Sequence, residues 1–573
     1  MKKSVPYGVM NYAEIVRKEC YFVDKTAYIA KLEQITNPVF LRPKRFGKSL
    51  WCSLLEYYYD LKYADRFAEL FGHTWIGQHP TAQHHRYFTL ALDFSPIEIG
   101  RTVPDIERSF QNQHNIMLDL LRVKYAGWLD QMPPMAPHGS VADNLRQLFQ
   151  FIAMSGLPPV YVIIDEYDNF ANHLITTHQD HLYRELMADD SFLKAFFKIL
   201  KEGRKTGVVA NVFMTGVLPM MIEELASGFN IAQIITLDPE FEYMLGFTQA
   251  EVDALLDEVY RDYQLDPATR PEVATVIKTQ YDGYHFITAD GADVYNSTTL
   301  MYFLHHLCRF QQIPEYLIDE NLRTDLSWVR RITGSLPAQT EAFVGQLTMH
   351  NRIAYDKAYL LSKFNMAQFF DPDFQPISFY YLGMLTKEND FAMTIPNLNM
   401  RTMFVEYFNQ LHRLDVSTRY AAMMQNFITH PDLPVLFAEY WRLYVSQLPE
   451  AIFQQVNENF YRTTFYELCR RYLSKWFTWN VERSYPQGRT DLEFVGKYHE
   501  QFAGLRLVIE FKYYSNTEFK KFKTSIAEFG LQAEDTRQIA GYVEGLRQEY
   551  PEARVRQFVI YCVGNQGFRV FAA

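Results

Sequence analysis

The stretch FLRPKRFGKSL, Phe40 to Leu50, decides the reading of the N-terminal half. A short apolar segment, Val39 to Leu41, runs straight into it, and SLWCSLLEYYYDL beyond it has the apolar spacing of a helix. Gly47, Lys48 and Ser49 therefore lie between a strand and a helix, the context a phosphate-binding loop requires. There, backbone N–H groups and the helix N-terminus hold phosphates, Lys48 reaches the β and γ oxygens, and Ser49 ligates Mg²⁺. Arg42 stands where the first glycine of such a loop is expected, so the segment alone reads equally well as a basic surface turn.

Working outward, VYVIIDEYD is an apolar strand ending in acids, with Asp165 and Glu166 at its C-terminal end. Asp165 is the expected holder of hydrated Mg²⁺, and Glu166 the group that orients and polarises an attacking water. Tyr87 to Phe94 and Val208 to Gly216 supply further strands, and Thr215, at the end of the latter, is placed to hydrogen-bond the water or the γ-phosphate. Short apolar strands separated by long helical segments predict a parallel α/β sheet. Thr248 with Glu251 predicts a capping box opening an amphipathic helix.

With YFVDKT at 21–26, IIDEYD at 163–168, FMTGVLP at 213–219, LDPEF and GFT within 237–248, YDGYHF at 281–286 and VYNSTTL at 294–300, the chain from about 20 to 300 resembles the AAA-ATPase-like family. Members carry Arg-Pro-Arg-Arg-Phe-Gly-Lys-Ser in place of a glycine-rich loop, so Arg42 matches and Lys44 departs mildly. The resemblance implies ATP hydrolysis on a P-loop core, with Arg42, Pro43, Lys44, Arg45, Phe46, Gly47, Lys48, Ser49 and Asp165 at the nucleotide. An arginine finger has no evident position and is expected from another subunit of a homo-oligomer.

Near the other end, Asp491 in GRTD precedes Glu510-Phe511-Lys512 by 19 residues. Strand alternation puts Glu510 and Lys512 on one face, where Asp491 on a neighbouring strand meets them. Two carboxylates beside a lysine suit phosphodiester hydrolysis: the acids bind Mg²⁺ or Mn²⁺ and the lysine steadies developing negative charge. Glu458, on the preceding helix, is a further expected ligand, and Glu493 either substitutes as one or faces solvent. Taken with Gln538-Ile539 and Tyr542, GRTD and VIEFK resemble the PD-(D/E)XK nuclease module over roughly 450–573. The resemblance implies that the acids and Lys512 form its active centre with Gln538 accessory to it, although Thr490 precedes Asp491 where that module's name leads one to expect proline.

The 573 residues are 48% hydrophobic and carry a formal net charge of −11, which argues against indiscriminate coating of nucleic acid. The high aromatic content, 16%, is expected in cores and domain contacts. Five scattered cysteines suit neither a zinc ribbon nor a disulfide framework. No apolar run resembles a secretory signal or a membrane span, so the cytoplasm is expected. The adjacent pairs His84-His85 and His305-His306 read as packing residues, and FKKFK at 519–523 as a basic face able to touch a phosphate backbone.

The sequence thus predicts an α/β chain in three parts: a P-loop AAA-like core over 1–300, a helical middle region over 301–450, and a restriction-endonuclease-like α/β domain over 451–573. The expected function is ATP hydrolysis joined to metal-dependent cleavage of nucleic acid, DNA before RNA. The alternative is an ATP-dependent switch or scaffold whose nuclease-like domain binds nucleic acid or a protein without cutting.

Overall fold

The computed structural model describes residues 2–287, 291–318, 326–333, 337–416, 418–485 and 488–573. Five strands, β1 (Pro38–Leu41), β2 (Phe88–Asp93), β3 (Val160–Asp165), β4 (Val209–Gly216) and β5 (Gln233–Ile234), form one sheet in the order β2-β3-β4-β1-β5. All neighbours are parallel. Helices cover both faces, as burial of a parallel sheet on both sides demands, and β1 and β3 read as unbroken apolar runs for that reason. Insertion of β4 between β1 and β3 sets the C-terminal ends of all three strands side by side, at the edge where ligands of open α/β sheets bind.

The helix Gln249–Tyr263 opens on the expected capping box, with Thr248 and Glu251 each accepting the other's backbone N–H. It packs with Arg270–Tyr281 and Ser297–Phe310 around a second apolar core that includes Val259, Ile277 and Leu304. The region beyond is largely helical, through Pro337–His350, Leu398–Leu411 and Leu433–Leu443 among others. It also holds a three-stranded antiparallel sheet of Arg352–Ala354, Ala392–Thr394 and Thr386–Lys387. Strands of two or three residues are too short for alternation to register, which is why the sequence reads there as helix.

The C-terminal sheet has the order Phe477–Val481, Leu492–Gly496, Leu505–Tyr514, Arg554–Val563, Gly567–Ala572. Only the pairing of Leu505–Tyr514 with Arg554–Val563 is parallel. That parallel pair requires a crossover, and the helix Ala533–Glu549 supplies it. The helix Glu458–Leu473 contributes Phe460, Tyr461 and Phe465 to the core.

Candidate functional sites

At the expected phosphate loop, Gly47 has φ of 91° and forms the N-cap of the helix Lys48–Tyr59. A side chain is strained there, so glycine is retained. Arg45 also lies at positive φ, 76°. The Lys48 ammonium is buried and donates to the carbonyls of Arg42 and Pro43, both at 3.0 Å. Burial pushes its pKa down, while Glu166 and Asp165 act to hold its charge. Asp165 accepts from the Ser49 hydroxyl, and burial pushes its carboxyl up against that bond. Glu166 stands at φ 49° and is likewise raised by burial. Lys48, Ser49 and Glu166 line a cavity of 530 Å³ whose far wall includes Tyr21, Phe22 and Phe247.

Arg42 has a different place from the loop's other cations. Its guanidinium is buried and donates to the carbonyls of Leu41, Thr236 and Glu242 at 3.1–3.2 Å. The rings of Phe40 and Phe286 lie over it at 4.4 and 4.3 Å. It braces the loop from behind, and burial lowers its pKa to about 10. Phe46 is buried edge-on to Tyr284 and Phe286, so it anchors the loop and brings its backbone to the cavity. Pro43 packs against Gly383, where a Cβ would come within 2.5 Å of it. Lys44 and Arg45 border the cavity. The Thr215 hydroxyl donates to Phe40 O at 2.8 Å, tying β4 to β1 beneath the loop.

The remaining motifs act as clamps that local pattern did not reveal. Asp168 accepts from Val217 N and Leu218 N, at 3.1 and 2.6 Å, and so joins IIDEYD to FMTGVLP. Asn296 and Thr298, from VYNSTTL, donate to the carbonyls of Lys44 and Arg45 at 3.2 and 2.8 Å. Lys25 pairs with Glu251 at 2.6 Å.

At the C-terminal site, Asp491 lies immediately before the strand Leu492–Gly496, whose pairing sets Leu492 opposite Ile509. Its side chain thereby reaches across to accept Phe511 N at 2.7 Å. Lys512 Nζ donates to Glu510 Oε1 at 2.9 Å and to Gln538 Oε1 at 3.2 Å, while Gln538 Nε2 donates to Glu510 Oε1 at 2.7 Å. Glu510, Lys512 and Gln538 thus close a triangle, with the helix Ala533–Glu549 bringing in the amide. Glu510 Oε2 is buried without a hydrogen-bond partner. Burial first, then the Asp491 charge, raises Glu510 and Glu458 to about 7.

Sequence reasoning passed over Arg462, which donates to Asp491 Oδ1 at 2.9 Å. Its position one helical turn after Glu458, on the same helix face, was the available signal. Among the described residues no group of three or more His, Cys, Asp or Glu side chains is arranged to hold a metal ion. Glu493 neither faces solvent nor joins the acids: it is fully buried, accepting from Asn480 and Thr490 at 2.9 and 3.0 Å. Lys520, Lys521 and Lys523 are exposed. The histidine pairs pack, with His84 and His85 on the carbonyls of Thr81 and Asp60, and His305 and His306 beside Tyr7 and Phe310.

With this geometry in place, comparison with known proteins gives two matches. Residues 6–226 match the AAA-ATPase-like family model, described as predicted AAA-ATPase, and residues 456–572 match that of the PD-(D/E)XK nuclease superfamily. One chain carries both matches. An "Uncharacterized protein in vnfD 5'region" of Azotobacter chroococcum mcd 1 is 26% identical over 307 residues, 52% of this chain. The match spans about half, 51%, of that relative's length. No helix among the described residues is long and apolar enough to cross a membrane.

Proposed function

We propose that the chain is a cytoplasmic ATP-hydrolysing protein whose C-terminal domain cleaves nucleic acid, DNA in preference to RNA, with Mg²⁺ or Mn²⁺. The observation that carries the reading is the Glu510–Lys512–Gln538 triangle beside Asp491, on a strand-borne scaffold of the matched superfamily. A structural ion pair alone leaves the second oxygen of a buried glutamate without a partner at a cost of about 1–3 kcal/mol. A divalent cation would satisfy that oxygen, and Glu510, Asp491 and Glu458 offer the hard carboxylate oxygens that suit Mg²⁺ or Mn²⁺, though the three acids are not gathered around one point.

When bound, the metal supplies Lewis acidity and an activated water. The chain's own part is positional. Gln538 fixes the Glu510 rotamer and the Lys512 ammonium together, and Lys512 offsets charge developing on the scissile phosphate. At the other site, Lys48 is the ammonium that meets β and γ oxygens, Ser49 and Asp165 are the groups for Mg²⁺, and Glu166 takes the proton of the attacking water. Its raised pKa strengthens it as a base. Thr215, expected at the water or the γ-phosphate, instead has its buried hydroxyl on Phe40 O and lies outside the lining of the cavity that Lys48, Ser49 and Glu166 share.

The test is cleavage of single- and double-stranded DNA and RNA with Mg²⁺ or Mn²⁺, with and without ATP, in wild type, Lys48→Ala and Lys512→Ala. Cleavage lost in Lys512→Ala, and responsive to ATP only where Lys48 is present, supports the reading. ATP hydrolysis without cleavage of any substrate favours the alternative, a switch whose C-terminal domain binds without cutting.

A further inference from the structure

The Arg462 guanidinium bridges two acids: Nη1 donates to Asp491 Oδ1 at 2.9 Å and Nη2 to Glu482 Oε1 at 2.9 Å. Both Arg462 and Asp491 are more than nine-tenths buried. Phe511 N holds the other Asp491 oxygen. The carboxylate best placed to serve a metal is therefore already neutralised by a protein cation, while the Glu510 oxygen nearby has no partner. Glu482 lies 3.6 Å from Arg401 Nη2, and burial, which favours its neutral form, is overcome by Arg462, Arg401 and Arg489.

Arg401 is itself buried, with Nε and Nη1 lacking hydrogen-bond partners. Burying a guanidinium with two unpartnered nitrogens costs free energy that a better-placed acceptor would recover. It sits on the helix Leu398–Leu411, next to Met400, which lines a 410 Å³ cavity together with Pro43, Lys44 and Arg45 of the phosphate loop. The start of that helix is fastened to YDGYHF: Asn397 Nδ2 donates to Asp282 O at 3.0 Å, and Tyr284 meets Phe46 edge-on at 5.1 Å. One helix thus shares a cavity with the loop at 42–49 through its first turn and reaches the carboxylate network of the nuclease-like site one residue later.

We propose that Arg462 is a latch on the nuclease-like site, a protein cation that holds Asp491 until nucleotide at the phosphate loop releases it through Arg401 and Glu482. The proposal rests on the metal-dependent nuclease reading above and names its regulation. Arg462, Glu482 and Arg401 act through Asp491 and are positioning residues. Binding of a metal to Asp491 requires Arg462 Nη1 to leave Asp491 Oδ1 and pair with the second oxygen of Glu482, whose Oε1 already accepts from Nη2, an exchange of one charge-assisted hydrogen bond for another between groups already in contact. Glu482 Oε2, 3.6 Å from Arg401 Nη2, is the oxygen that turns to Arg462. A shift of the helix Leu398–Leu411 sets that balance.

The experiment measures Mn²⁺ binding to the full chain by the loss of the free-ion electron paramagnetic resonance signal. The nuclease-like site is the share abolished in Glu510→Gln, and the measurement is made with and without a non-hydrolysable ATP analogue. Without nucleotide, Arg462→Met is expected to raise Mn²⁺ affinity at that site at least tenfold over wild type. Arg462→Lys, which keeps the charge but loses the fixed fork of two nitrogens, gives a smaller rise and serves if the methionine variant does not fold. In wild type the analogue raises the affinity at least fivefold, and in Arg401→Met this response disappears while ATP turnover stays within twofold. Unchanged or weakened Mn²⁺ binding in both Arg462 variants overturns the latch. A full nucleotide response in Arg401→Met overturns the route. Absence of any Glu510-dependent Mn²⁺ binding, in every variant, overturns the metal-dependent nuclease reading itself, a result distinct from either.

Discussion

Replacement of Gly283 by alanine tests how tightly the segment YDGYHF is joined to the chain before the helix Leu398–Leu411. Gly283, in YDGYHF, has φ of 90°, and a Cβ built on it comes within 2.0 Å of the Pro396 carbonyl oxygen. Real Cβ contacts are essentially never closer than 3.0 Å, so the two backbones must separate by at least 1.0 Å (3.0 minus 2.0). The obstacle is main chain, not a side chain that can swing aside. Left-handed backbone costs an L-residue about 1–2 kcal/mol, and overpacking typically adds about 1–3 kcal/mol. Gly283→Ala is therefore expected to destabilise the chain by about 2–5 kcal/mol. The displaced segment also carries Asn397, the cap of the helix Leu398–Leu411, so the Asn397–Asp282 bond weakens with it. Urea denaturation followed by far-UV circular dichroism reads the loss, provided wild type and variant share one m-value. A change below about 1 kcal/mol refutes the reasoning, since it means the two backbones move apart freely and the contact transmits nothing.

Four further outcomes follow from the same geometry. Lys48→Ala removes the buried ammonium of the phosphate loop, and ATP affinity by calorimetry is expected to fall by at least about tenfold, the worth of one charge-assisted hydrogen bond; unchanged affinity removes Lys48 from the nucleotide site. Arg42→Met orphans three buried carbonyls behind the loop, so its melting temperature is expected to drop, and any loss of ATP affinity should follow that unfolding. A variant as stable as wild type but unable to bind ATP shows instead that Arg42 meets phosphate. Glu272, beside Arg506 and Lys497, is raised by burial to about 7 against about 4.3 unfolded. Its favourable contribution is complete below about pH 4.3 and is lost as pH rises to about 7, so Glu272→Gln is expected to stabilise the chain by on the order of 3–4 kcal/mol at pH 8 and negligibly at pH 4. Equal effects at both pH values contradict this. Since Glu510 and Glu458 are raised to about 7, Mn²⁺ affinity at the C-terminal site is expected to weaken between pH 8 and pH 6, by up to about tenfold per proton displaced and pH unit; a pH-independent affinity removes these carboxylates from the ligand set.

Much of this organisation is legible in the chain itself. β1, β3 and β4, and the strands Leu492–Gly496 and Leu505–Tyr514, are largely apolar runs whose ends are marked by charge or glycine, so local pattern alone places Lys48 at a helix start, Asp165 and Glu166 at a strand end and Lys512 on a strand face. Alternation is a property of neighbouring residues, and it put Glu510 and Lys512 together correctly, 2.9 Å apart. Tertiary structure decided what depends on partners far along the chain. Arg42 looked like a cation for phosphate, yet three carbonyls and two rings from separate segments claim it. Asp491 gave no sign that a helix thirty residues upstream neutralises it, nor Glu493 that Asn480 and Thr490 enclose it. A charged side chain is defined by what surrounds it once water is excluded. Sequence spacing fixes which face a residue occupies; only the packing of distant segments fixes which opposite charge, carbonyl or ring it meets there.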